Sequence, residues 1–120
     1  MANYCYKILN ECEIMQVIKQ SAYCRLGVSA EGKTYVIPMA FECRRNGKGL
    51  TFHMMSEKTG KKMCMMKDNC NVCLEFDCPT RGGVCSVVAL GIAKLEDKGN
   101  ECVMITVCDL RITGRKYYFR

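Results

Sequence analysis

The chain has 120 residues, enough for one compact domain over 1–120 or half of an intertwined dimer, and too few for a two-domain enzyme or a useful repeat array. Hydrophobic residues make up 49% and charged residues 25%, which excludes a disordered tail, and the net charge of +6 tilts the chain towards anionic partners only weakly. The N-terminus, Met1 to Lys7, has no apolar signal core, and the uncharged run Cys85 to Ala93 falls far short of the roughly 20 apolar residues of a membrane helix, so the chain reads as cytoplasmic, with no membrane partner. Eleven cysteines would fit a disulfide scaffold in a secreted chain, but the count is odd and the apolar content can build a core without staples. They read as reduced thiols serving as small hydrophobes, alongside nine methionines.

In chain order, residues 10 to 21 predict an amphipathic helix with Ile14, Met15, Val17 and Ile18 on one face, Asn10 as its cap and Glu13 completing a capping box. From Cys24 the period changes to two. Cys24 to Val28 predicts a strand, and Ala30 to Lys33 a turn. Thr34 to Cys43 predicts a second strand with Tyr35, Ile37, Met39, Phe41 and Cys43 on one face. Arg44 to Gly49 predicts a hairpin turn with Asn46-Gly47 at its tip, and Leu50 to Met54 a third strand. Ser56 to Lys67 predicts a short helix capped by Ser56 or Thr59 and ended by Asp68-Asn69.

Asn71 to Cys78 alternates strictly, with Val72, Leu74 and Phe76 inward and Cys73, Glu75 and Asp77 outward. Pro79 to Gly83 reads as a loop, and Val84 to Leu95 as a long strand whose Gly91 marks a bulge or a close approach. Asp97 to Asn100 is a turn, Cys102 to Thr113 a last strand, and Gly114 to Arg120 a basic, aromatic tail. Six antiparallel strands with two short helices and hairpin-length connections predict a mainly β, small closed barrel.

Three features bear on chemistry. Pro38 inside Tyr35 to Phe41 cannot donate to a ladder, so that strand is an edge or is interrupted, which frees backbone groups for a flat heterocycle. Phe52 to Lys62 runs a strand into a helix start at Gly60-Lys61-Lys62, where unpaired N–H groups and two ammonium heads could clamp a phosphate; the glycine spacing is not that of a Walker loop. His53 is the only histidine, so it has no histidine partner for a zinc site. Cys70 and Cys73 have zinc-knuckle spacing, but no second such pair follows, and Cys73 and Cys78 fall on opposite faces of a strand, so no metal site is assigned. The tail interleaves bases and aromatics, yet charge is otherwise scattered, and nucleic acid is not expected as a partner.

Taken together, the segments from Glu11 to Asp97 resemble the pyridoxamine 5′-phosphate oxidase-like split-barrel family, with the closest look to its nitroimidazole-resistance (5-nitroimidazole reductase) branch. The resemblance rests on the order of Tyr35-Val36-Ile37-Pro38-Met39-Ala40-Phe41, Leu50-Thr51-Phe52-His53, Gly60-Lys61-Lys62, Asn69 to Phe76, and Ser86 to Gly91. It implies a split β-barrel that binds FMN at a homodimer interface and reduces a small electron-poor substrate. By the same resemblance, Val36, Ile37, Pro38 and Met39 would lie along the flavin ring, Phe52 and His53 would line the ring and ribityl region, Lys61 and Lys62 would hold the phosphate, and Ser86 and Val87 would approach from the later strand. His53 would sit beside the substrate as the catalytic residue. Relatives usually carry a helix between their last two strands, where this chain has only the turn near Asp97. A non-catalytic flavin- or haem-binding split barrel is the alternative expectation.

Overall fold

The computed structural model describes residues 5–47 and 49–119. Lys48 of the predicted hairpin turn, Arg120 of the tail and the first four residues lie outside them. The elements in chain order are β1 (Tyr6–Ile8), α1 (Glu11–Gln20), β2 (Cys24–Ala30), β3 (Lys33–Met39), β4 (Glu42–Asn46), β5 (Gly49–Glu57), α2 (Lys61–Asp68), β6 (Asn71–Thr80), β7 (Gly83–Gly99) and β8 (Cys102–Tyr118). The strands form one antiparallel sheet in the order β3-β2-β6-β7-β8-β5-β4, with β1 added to the far end of β8. β3 and β4 stand at opposite ends of that path, yet only Ala40 and Phe41 separate them in the chain. The sheet must therefore curl until its ends approach each other, which makes a mainly β split barrel with two short helices.

The core follows from the alternation. Leu26, Phe52, Met54, Leu74, Phe76, Val87, Ala89, Ile105 and Val107 are sealed inside. Phe41, Phe52 and Phe76 meet edge-on or tilted, with ring centroids 4.9 to 6.0 Å apart. Helix α1 is capped as its sequence requires: the Asn10 side chain accepts from the Glu13 N–H at 2.9 Å, and the Glu13 carboxylate accepts from the Asn10 N–H at 3.0 Å. Burial at Cys24 pushes its thiol up to about 12, so this cysteine stays protonated as a packing group.

The structure corrects several expected boundaries. Among the described residues eight strands are present rather than six, because β1 adds one and the strand expected over Thr34 to Cys43 is two. The shared face expected for that stretch is right, and it is the inward one, since Tyr35, Ile37, Met39, Phe41 and Cys43 all pack in or against the core. Its continuity fails because the chain leaves one sheet edge for the other at Ala40-Phe41. Neither Ser56 nor Thr59 caps α2. The ladder with β8 carries β5 on to Glu57, so Ser56 lies in a strand opposite Val103 and the helix starts four residues past Glu57, at Lys61.

Residues 79 and 80 extend β6, so only Arg81-Gly82 turns, and the later turn sits at Asn100-Glu101 rather than over Asp97 to Asn100. The tail is no free end: Arg115, Lys116 and Tyr117 pair with both β1 and β7. At Gly91 the register between β7 and β8 shifts, and a Cβ there would lie 2.8 Å from the Cys108 carbonyl oxygen, so bulge and close approach coincide.

Candidate functional site

Among the described residues strand β3 pairs only with β2, so its other edge offers backbone groups outside any ladder. Pro38, opposite Arg25, has no N–H to lose there. Alternation sends Val36 and Pro38 to the outer surface, where Val36 is 62% exposed, and turns Ile37 and Met39 inward against the core.

Helix α2 stands beside this edge. Its N-cap is Gly60, at φ 119°, with no side-chain cap and no acidic residue in the first turn. Its first N–H groups therefore lack the partner that Asn10 supplies in α1. Lys61 Nζ lies 5.3 Å from the centre of the Tyr35 ring, which holds an ammonium group over β3. Lys61, Cys64, Met65 and Asp68 form one face of α2, and with Lys33 and Thr34 they wall a cleft of about 700 Å³. Thr34 also borders a shallow groove of about 600 Å³ on the outer sheet face, floored by Gly27, Val36, Cys73 and Leu90. The two depressions share Thr34. One end is polar with an ammonium group, and the other is flat and apolar. A third depression of about 610 Å³, between α1 and the β4–β5 hairpin, contains none of the predicted site residues.

The remaining predicted residues divide. Lys62 is not free as Lys61 is: its ammonium donates to the Glu57 carboxylate at 2.6 Å, and its side chain is 11% exposed. Phe52 and Val87 are completely buried, so their side chains belong to the core and only their backbone could face a ligand. Ser86 donates to the Glu75 carboxylate at 2.9 Å. Glu75 and Asp77 both accept from Arg25, which stands directly across from Pro38. Burial is the main cause that raises Glu75 above the usual carboxylate range, with Asp77 adding to it and Ser86 and Arg25 opposing.

Arg25, Glu75 and Asp77 thus join Ser86 to the β3 edge, a link the sequence reading missed. Period-two alternation already placed Glu75 and Asp77 outward, but the register that brings Arg25 to them is not written in any single segment.

His53 lies on β5 between Glu42 of β4 and Thr106 of β8. Its Nε2 is 2.9 Å from the Thr51 hydroxyl and its Nδ1 3.2 Å from the Thr106 hydroxyl. Burial, helped by Arg44, lowers its pKa below the ordinary 6.5, so the ring is neutral at neutral pH. Its two hydroxyl partners fix the ring plane. His53 lines neither the cleft at Lys61 nor the groove at Val36. Among the described residues, no three His, Cys, Asp or Glu side chains gather in a metal-binding group, and no helix is long and apolar enough to cross a membrane.

No curated protein sequence matches the chain. Solved structures do. A FAD-binding protein from Mesorhizobium loti superposes with a TM-score of 0.81 at 19% identity, over 96% of this chain and 98% of that one. A candidate 5-nitroimidazole antibiotic resistance protein from Bacteroides thetaiotaomicron gives 0.75 at 19% identity, over 97% and 90%. The FAD-binding protein from Mycobacterium smegmatis gives 0.76 at 20% identity, over 95% and 100%. At these identities the likeness is one of fold. The sequence itself matches the pattern of pyridoxamine 5′-phosphate oxidase over residues 10–106, and the chain, curled into the split barrel its motifs led us to expect, belongs to that family.

Proposed function

We propose that this chain is an FMN-dependent oxidoreductase of the nitroreductase type, reducing a small electron-poor organic substrate as a cytoplasmic homodimer with flavin at the interface. The observation that carries the proposal is the junction at Thr34 of a flat apolar groove with a cleft that runs along α2 from Lys61, the first residue after its uncapped start, to Asp68. An elongated ligand with a planar ring at one end and a phosphate at the other matches both halves. Membership of the family and its FAD-binding structural relatives support a flavin.

When bound, FMN supplies the electron or hydride transfer. The residues of the chain bind and orient it. Lys61 and the N–H groups after Gly60 neutralise the phosphate. The open edge of β3, from Val36 to Met39, offers backbone donors and acceptors to the polar rim of the ring. Exposed Val36 and Leu90 would offer the ring an apolar surface, and His53, which lines neither depression, would reach a substrate only in a homodimer. The Thr51 and Thr106 hydroxyls engage both nitrogens of its neutral imidazole and fix the ring plane, so its one nitrogen-bound proton is directed at a threonine hydroxyl and reaches a substrate only through that hydroxyl. Lys62, bound to Glu57, contributes long-range charge rather than a direct contact.

A second reading has its own support. β7 runs into β8 through Asn100-Glu101 alone, so no helix is inserted between these two strands. A barrel that holds flavin or haem without turning over a substrate fits that short connection. The absorption spectrum of the isolated protein, followed by anaerobic mixing with NAD(P)H and a nitroaromatic acceptor, tests both. A flavin spectrum that bleaches and recovers with loss of the nitro compound supports the oxidoreductase. Bound flavin without turnover, or a haem spectrum, supports the carrier; no flavin binding at micromolar FMN overturns the oxidoreductase, and a protein that takes up neither flavin nor haem overturns both.

A further inference from the structure

Away from the cleft at α2, one cross-strand row runs over four strands beneath α1, from buried Cys78 of β6 through half-buried Cys85 of β7 and Lys116 of β8 to exposed Lys7 of β1. All eleven cysteines are thiols, and Cys78 and Cys85 are the two that stand directly opposite each other in a ladder. Directly opposed residues of an antiparallel pair point to one face with Cα atoms roughly 4.5–5.5 Å apart, inside the span of about 4.4–6.8 Å that a disulfide bridges. Cys78 is buried and its Sγ lies 3.5 Å from the Val17 carbonyl oxygen and 3.7 Å from the Ser21 hydroxyl, both on the α1 side; Cys85 is half-buried. A cavity of about 190 Å³ under α1 is lined by both thiols, Thr80, Lys7 and Lys116. The Thr80 hydroxyl is buried without a hydrogen-bond partner among the described residues. Lys7 is paired with Glu13, whereas Lys116 sits next to Cys85 with its ammonium near the Tyr118 ring. Two facing thiols, one reachable and one sealed, beside an ammonium group and an unpartnered hydroxyl, constitute a site that the flavin reading does not use.

We infer that Cys78 and Cys85 form a thiol–disulfide exchange site that reduces small, carboxylate-bearing disulfides. The Cys85 thiolate attacks one sulfur of the small disulfide, forming a mixed disulfide and expelling the first small thiolate. The Cys78 thiolate then attacks Cys85 Sγ, the protein disulfide closes, and the second small thiolate leaves. The two protons released by the cysteines go to the two departing thiolates. The net change is one small disulfide reduced to two thiols and one dithiol oxidised. Glu13 also lines the cavity and is balanced by Lys7, which leaves Lys116 and the Thr80 hydroxyl to hold one ligand carboxylate, and the small cavity admits only the end of the ligand.

Incubation of the full chain with oxidised glutathione, alkylation of the remaining thiols and peptide mass mapping test this. The expected product is a Cys78–Cys85 linked peptide pair, lighter by two hydrogens and free of glutathione, formed ahead of any other linkage. Cys78→Ser should instead hold glutathione on Cys85, and Cys85→Ser should leave Cys78 unmodified. Should Cys78→Ser fail to fold, mapping of the native chain still decides. Recovery of Cys78 and Cys85 as alkylated thiols after exposed Cys12 and Cys64 have been glutathionylated would overturn the site, as would glutathione persisting on Cys85 in the native chain.

Discussion

The two helices of this barrel are built on opposite principles. α1 begins with a complete capping box, acidic residues in its first turn and a lysine in its last, all of which suit the helix dipole. α2 begins with an uncapped glycine and two lysines, which oppose the dipole at its positive end. The first arrangement stabilises the chain by itself. The second leaves N–H groups and the charge of Lys61 without an anionic partner until a ligand arrives, while Lys62 is already held by Glu57. The contrast teaches that α1 seals the barrel, whereas α2 is an open binding element beside the β3 edge.

Substitutions can break or sharpen that contrast. The largest effect falls on the shared core: Phe52→Ala should lower unfolding free energy by about 3–5 kcal/mol in urea, because the side chain is wholly buried against Phe41 and Phe76. A near-neutral result would return Phe52 to the ligand-lining role. Next comes Gly60→Ala, expected to cost about 1–3 kcal/mol because φ is 119° although space for a Cβ is open.

Asn10→Ala removes the box of α1 and should cost about 1 kcal/mol with no change in flavin affinity. Lys61→Ala should do the reverse. It should weaken FMN binding about tenfold, the scale of a lost charge-assisted contact, and leave the stability of the flavin-free protein unchanged or slightly raised. The smallest effect concerns His53. Its folded pKa lies below 6.5, so the unfolded chain binds the extra proton first and stability falls as pH drops from 6.5 through the lower folded value. His53→Gln should flatten that acid slope in thermal melts of flavin-free protein, and an unchanged slope would contradict the burial of the ring.

Local signals carried much of this architecture. The capping box of α1, the alternation of β6 and the bulge at Gly91 each depend on a few neighbouring residues, so they are legible in one segment. What escaped depends on distant pairing. β5 outlasts its expected end because Met55, Ser56 and Glu57 find partners in Met104, Val103 and Cys102, which outcompetes the capping tendency of Ser56. The break at Ala40-Phe41 preserves the inward face, so periodicity cannot detect it. At the site, the glycine-lysine start of α2 and the proline in β3 stood out at once. The Glu57 partner that occupies Lys62 and the Arg25 link between Ser86 and Pro38 required the fold.

The central claim is that the start of α2 recognises a phosphate. Equilibrium titration of flavin-free protein with FMN and with riboflavin, followed by the visible spectrum, tests it most directly, because the two ligands share the ring and differ in that group. FMN should bind clearly more tightly, with the difference shrinking in Lys61→Ala. Equal affinity for the two flavins, or a preference that survives in Lys61→Ala, would contradict it.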